Sequence, residues 1–292
     1  MAFRLKRNRS MSAELGRLVK KQLQQAHEEL AAPEAGDEAI HKARTSLKKV
    51  RAVLRLLKSE LGPDYRDSNR RLRKAADLLS GLRDSDATLE TLAAVRARYQ
   101  AVLAHRAVQA VGAALGARKR RARASAGRAI GVAVDELRRA SRRMPARVRE
   151  NANVPAVTSG LVDGYRRARK AMEDLRLDSD DTSFHTWRKR VKDHWYHVRL
   201  FEGLHQGARS RARRLEELET LLGIEHNLVV LRSTLLAGEQ HVADSRTTAL
   251  LFGCMTKYQA WLRQRTVRLG HRMFNAPPAT IAKSVKAWWK GE

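Results

Sequence analysis

Cysteine, aromatic residues, acidic residues and long apolar runs are all scarce in this chain, and each scarcity excludes something. The single Cys254 rules out an intramolecular disulfide framework and a thiolate metal cluster within one chain, so a reducing compartment is expected. No stretch approaches the roughly eighteen uninterrupted apolar residues of a membrane span. The basic start MAFRLKRNRSMSAELG is not followed by the apolar run of a secretory signal, so a cytoplasmic location is expected. A GxxxxGK(S/T) phosphate loop, a nucleophile elbow and a carboxylate cluster suited to two-metal hydrolysis are all missing. An enzyme is therefore the weaker class, and neither a cofactor nor a catalytic metal is expected. Aromatics make up only 5% of residues, too few within the basic segments to stack a nucleic acid along them.

What the chain has in excess is positive charge. Its 59 Lys and Arg face 31 Asp and Glu, a formal net charge of +28 over 292 residues, which produces a strong positive field at neutral pH. The partner this selects is a polyanion. Nucleic acid, an anionic membrane surface, an acidic protein and inorganic polyphosphate all qualify on charge alone. With 43% hydrophobic residues the chain can still build a core.

The most specific signal is a stretch that occurs once in each half: HKARTSLKKVRAVLRLLK from His41 and HTWRKRVKDHWYHVRLFE from His185. Aligned on the histidines, Arg44, Lys48 and Arg55 match Arg188, Lys192 and Arg199, while Leu47, Leu56 and Leu57 match Val191, Leu200 and Phe201. At about 100° per residue, His41, Arg44, Lys48, Arg51 and Arg55 form one helical stripe. Ala43, Leu47, Val50, Leu54 and Leu57 form a second, apolar stripe beside it. The second copy keeps this pattern, although His194 interrupts its apolar stripe and Trp195 stands where Arg51 stood. A lone basic stripe is usually a solvated helix face. A stripe repeated at matched positions reads as a built phosphate cradle, with Arg forks and mobile Lys charges.

Helical periodicity runs nearly everywhere and strand alternation is absent, so the fold class is all-α. Ser12 is expected to cap a first helix ending near Pro33. Asp37 is expected to cap a second that ends at Gly62 and Pro63, and Asp64 to start a third that Gly81 breaks. The junction between halves is placed at Pro145 to Pro155. After it come a helix through Leu161 to Leu175, the acidic turn DSDDTS capping the helix of His185, RARRLEELETLL, a helix after Gly223, and a long helix from about Ser245 to Gly270. Arg70 and Arg71 match Arg213 and Arg214 with a one-residue slip, extending the duplication. The expected organisation is a first half over 1–150, a second over 151–270 and a tail over 271–292, each half a bundle of about four helices. In the tail, Trp288 and Trp289 lie between Lys286 and Lys290, where they are expected to pack a short helix, stack on bases or sit at a membrane interface.

His41-Arg44-Lys48-Arg51-Arg55, His185-Arg188-Lys192-Tyr196, the turn Gly81-Leu82-Arg83-Asp84 and the YRRARK segment from Tyr165 occur in an order that resembles the conserved histidine α-helical domain (CHAD) family. The resemblance covers about Ser12 to Gly270 and departs from the family pattern at Trp195, Arg199 and Asn227. It implies two pseudo-symmetric four-helix bundles lining a basic groove or pore that binds inorganic polyphosphate, with an association with polyphosphate or storage granules in some members. The binding residues expected on this basis are His41, Arg44, Lys48, Arg51, Arg55, Arg70, Arg71, Arg83, Arg166, Arg169, His185, Arg188, Lys192, Arg199, Arg213 and Arg214. Nucleic acid is the alternative, weaker polyanion, and a metal-dependent polyphosphate phosphohydrolase the less favoured one. His194 and His197, three apart with Asp193 and Glu202 nearby, lack a zinc pattern and read as a coincidental pair. Asp84 and Asp86 have no acidic counterparts in the second half and read as capping or ion-pairing groups rather than a magnesium site. Cys254, among apolar residues, reads as a packing thiol.

Overall fold

The computed structural model describes residues 3–32, 36–103, 105–124, 126–176, 179–237 and 245–291, without the side chains of 81–84, 105–107 and 245. Among the described residues the regular structure is entirely helical. The first half contributes α1 (Met11–Ala31), α2 (Asp37–Leu56), α3 (Lys58–Leu78), α4 (Ser80–Arg98), α5 (His105–Ala124), α6 (Ala126–Ser141) and α7 (Met144–Asn151). The second contributes α8 (Val154–Glu173), α9 (Asp181–Arg199), α10 (Gln206–Leu236), α11 (Ser245–Phe274) and α12 (Pro278–Lys290).

Several helix ends follow local chemistry. Asp180 caps α9 through an acceptor to the Ser183 amide at 2.8 Å, as the acidic turn predicts. Asn153 caps α8 in the same way, with Pro155 pre-set in the first turn. Elsewhere the punctuation differs from expectation. The α1 cap is Ser10 rather than Ser12. Asp37 is the first residue of α2, behind Gly36, and its carboxylate meets Lys119 of α5 instead of capping. α2 stops at Leu56, before Gly62, and Gly62 (φ 47°) kinks α3 just ahead of Pro63. Neither Gly81 nor Gly223 breaks a helix: α4 begins at Ser80, and α10 runs through Gly223 for 31 residues. The stretch 145–155 is largely α7, packed on α1, rather than a bare linker.

The apolar stripes read from the sequence are buried. Ala43, Leu47, Val50, Leu54 and Leu57 from the first copy share one core with Trp187, Val191, Val198 and Phe201 from the second. That core spans both halves, joining α1, α2, α3, α6 and α7 to α8, α9, the first part of α10 and α12. A second core draws α4 and α5 from the first half together with the later part of α10 and with α11, and it encloses Cys254. The halves therefore interleave. The N-terminal segment adds another crossing: Phe3 and Leu5 are buried, and the Leu5 amide donates to the Leu200 carbonyl at 2.8 Å. Trp288 of α12 is buried against Phe201, which gives the tail a packing role. No helix among the described residues is long and apolar enough to cross a membrane.

Candidate polyanion site

α2 and α9 lie against each other, and both carry their histidine as the fifth helical residue. The basic stripe lies beside the apolar one on each helix. Burying the apolar stripes in one core therefore brings the two basic stripes to the edge of the same seam. Lys48 is partly buried there. Burial drags its ammonium down to about 7, and Lys192, Arg44 and Arg188 add repulsion that Glu219 only partly offsets. Lys192 is likewise lowered by burial, despite its short hydrogen bond to Glu219 of α10. Arg188 approaches the same carboxylate at 3.8 Å.

A second cluster continues along the seam. The Arg55 Nε pairs with Asp193 Oδ2 at 3.0 Å, bridging α2 to α9, and Arg51, Arg190 and Arg167 also act on that carboxylate. Burial nevertheless raises the Asp193 pKa. Arg51 donates to Asn69 Oδ1 at 3.1 Å, and Arg44 to the Ala76 carbonyl at 2.7 Å, both on α3. Arg44, Lys48, Arg188, Lys192, Arg51, Arg55, Arg167 and Arg190 thus act around Glu219 and Asp193, with Glu225 also acting on Arg188 and Asp77 on Arg51. Such an excess of partly desolvated like charge is costly without an anion and favourable with one, because phosphate oxygens accept the forks and ammonium groups that these carboxylates leave under-neutralised.

The remaining expected residues are distributed around this seam. His41 is exposed near the N-terminal end of α2, and Lys42 beside it pairs with Glu38. His185 is half-buried and stacked on His226 of α10, with ring centroids 4.2 Å apart. Burial takes His185 to about 4 and His226 to about 3, so both rings are neutral at pH 7 and act as N–H donors or acceptors rather than as cations. Arg199 stacks on the Trp195 ring at 4.7 Å and lies 3.8 Å from Glu202. Arg70 and Arg71 engage Asp67 rather than the seam, and Arg71 also reaches Glu136 of α6. Arg166 pairs with Asp163. Arg169 pairs with Glu173 and donates to the Ala276 carbonyl. Arg213 and Arg214 are exposed on α10. The side chains of Arg83 and Asp84 lie outside the described residues, and Asp86 pairs with Lys119 at 2.6 Å.

Four members of the site escaped the sequence reading: Arg167, Arg190, Glu219 and His226. Arg167 and Arg190 sit inside segments already singled out, YRRARK and HTWRKRVK; Arg190 is three residues before Asp193 on α9, whereas the direction of Arg167 toward Asp193 depends on how α8 meets α9. Glu219 lies in an apolar-periodic run as an ordinary helical acid, and only the fold reveals it as the carboxylate of the seam. His226 occupies the turn sequence LGIEHN, which is helical here.

The buried pair His194 and His197 is part of the core. His194 takes the position matched by Val50 and lies between Tyr165 and Phe274, with its pKa well below the usual value because of burial. His197 is lowered to about 3, and its Nε2 lies 3.0 Å from the Ala52 carbonyl; a carbonyl only accepts, so Nε2 carries the proton. Among the described residues no three His, Cys, Asp or Glu side chains form a metal-holding group.

The CHAD domain family model matches residues 17–236. No curated protein matches the chain. Among solved structures, the CHAD domain from the plant Ricinus communis is similar with a TM-score of 0.64 at 18% identity, over 98% of this chain and 95% of that one. PptA from Streptomyces chartreusis is similar with a TM-score of 0.64 at 17% identity, over 91% of this chain and 98% of the other. These two likenesses concern the fold, and the family match spans most of the sequence: the chain belongs to the CHAD domain family.

Proposed function

We propose that the protein binds inorganic polyphosphate along the α2/α9 seam and does not transform it. The observation that carries this reading is Lys48, held among Lys192, Arg44 and Arg188, whose repulsion Glu219 only partly offsets. Arg51, Arg55 and Arg188 extend the same row, and His41 and His185 supply ring donors at its mouths. The outer cations Arg70, Arg71, Arg83, Arg166, Arg169, Arg199, Arg213 and Arg214 act as a field that gathers the chain toward the seam. Residues 1–150 and 151–270 work as one binding unit, with 271–292 bracing it. The setting this implies is cytoplasmic, at polyphosphate or storage granules.

Polyphosphate suits such a row better than nucleic acid, because a base-free anion fits between closely packed helices where a base has nowhere to stack. Labelled long-chain polyphosphate is competed at near-physiological salt with unlabelled polyphosphate, single-stranded RNA and duplex DNA at equal phosphate concentration. Polyphosphate is expected to displace the label far more effectively than either nucleic acid. Nucleic acid displacing it equally well would overturn the reading, as would Mg²⁺- or Mn²⁺-dependent release of phosphate above the blank.

A further inference from the structure

Away from the seam, two aromatic residues, Tyr258 and Trp261, lie together on one helix face. Tyr258 and Trp261 of α11 lie with ring centroids 6.0 Å apart, and the Arg98 guanidinium at the end of α4 sits over both, 4.5 Å from Tyr258 and 4.7 Å from Trp261. Tyr99 approaches the same guanidinium at 6.0 Å, and Arg265 lies 5.7 Å from the Trp261 ring. Trp261 is 39% exposed although it is among the largest apolar side chains of the protein.

The helix continues this patch as a track. Tyr258, Trp261, Arg265, Arg268 and Arg272 recur at spacings of three and four, a single face about 20 Å long at the rise of an α-helix. Trp261 and the three arginines on it are exposed. All of α11 carries six Lys and Arg and no carboxylate. Arg265 pairs with Glu217 at 3.0 Å, whereas Arg98, Arg268 and Arg272 have no carboxylate partner among the described residues.

We propose that this face is a second polyanion site, separate from the α2/α9 seam, that takes single-stranded nucleic acid. Trp261, Tyr258 and the Arg98 plane stack unpaired bases, and Arg265, Arg268 and Arg272 follow the phosphates. A stacking surface at one end of a cation track answers to a ligand with both a planar ring and a phosphodiester chain, which polyphosphate is not. Duplex is disfavoured because its bases are already stacked on each other. The site stands whether or not the seam binds polyphosphate.

The test is fluorescence anisotropy with a labelled single-stranded RNA, an abasic phosphodiester strand of equal length, and polyphosphate, against the parent protein, W261A, W261F and R268A/R272A. W261A is expected to weaken RNA binding on the order of tenfold, the scale of one lost base stack. W261F keeps most of it, and both leave polyphosphate binding unchanged. R268A/R272A weakens RNA and the abasic strand alike, and R44A/K48A leaves RNA binding intact. The proposal fails if the abasic strand binds the parent protein as tightly as RNA, if R44A/K48A abolishes RNA binding, or if W261A changes nothing. Should W261A not fold, the W261F and R268A/R272A results still decide it.

Discussion

Lys48 carries in one residue the conflict that defines the site. Its folded pKa of about 7 lies below the ordinary 10.5, so between those values the unfolded chain holds a proton that the folded chain has released. Stability therefore rises with pH across that window, and at or below about pH 7 the folded protein bears the cost of a partly buried ammonium among cations. Replacing the charge with an apolar chain of similar length removes that cost. K48M is expected to stabilise the ligand-free protein at pH 7 by about 1–3 kcal/mol, to flatten the rise in Tm between pH 7 and 9, and to weaken polyphosphate binding sharply. Thermal unfolding across pH, with a binding titration, checks this. A variant less stable than the parent at pH 7 would mean that Lys48 is well accommodated by Glu219. The stripe containing Lys48 was legible in the sequence because charge and apolarity repeat together in both halves. Glu219 was not, because its contacts with Arg188 and Lys192 join α9 to α10 across an interval that no local pattern reports.

Helix punctuation was less legible than helix content, for a definable reason. A glycine inside a helix costs only about 1 kcal/mol relative to alanine, and the packing of Leu215, Leu218, Leu222 and Leu228 carries α10 through Gly223 regardless. The breaks at Leu57 and Leu79 are set by tertiary packing, since both leucines are fully buried and neither is a breaker by type. Gly160 on α8 is a different case. A Cβ there would lie 1.8 Å from the Leu56 carbonyl oxygen, backbone against backbone, so α8 reaches the end of α2 only because this residue has no side chain. G160A is expected to destabilise by about 3 kcal/mol or more, at the upper end of overpacking effects. It should also disturb polyphosphate binding, because the contact fixes α8, and with it Arg167, against α2. Gly131 of α6 has open space around it, and G131A is expected to be neutral or to stabilise by up to about 1 kcal/mol. Chemical denaturation of both variants tests the pair. Equal effects would show that helix propensity rather than the α2/α8 approach governs position 160.

At the scale of the whole molecule, the repeated motif foretells two matched helix stripes but not that the two halves of the chain interleave. Apolar stripes of similar composition can bury against their own half or against the other. Only the second arrangement unites Leu47 and Val191 in one core and brings the two basic rows to one seam. The net charge of +28 belongs to the whole surface and would attract any polyanion, so a built site must be distinguished from the general field. Each phosphate contact releases condensed counterions, with a slope of log affinity against log salt of about −0.7 per contact on a single strand. That value serves as a scale for polyphosphate. R44A/K48A and R188A/K192A each remove two seam cations and are expected to flatten the slope by roughly one to one and a half units and to weaken binding by more than tenfold at physiological salt. R120A/R121A removes the same formal charge from the exposed side of α5 and leaves the seam untouched, so its slope and affinity should stay close to the parent's. Because an Arg or Lys stem also covers apolar surface, thermal unfolding is measured on each variant first. Equal losses from all three pairs, in proteins that remain folded, would mean that the total field captures polyphosphate and that the convergence of α2 and α9 serves the fold alone.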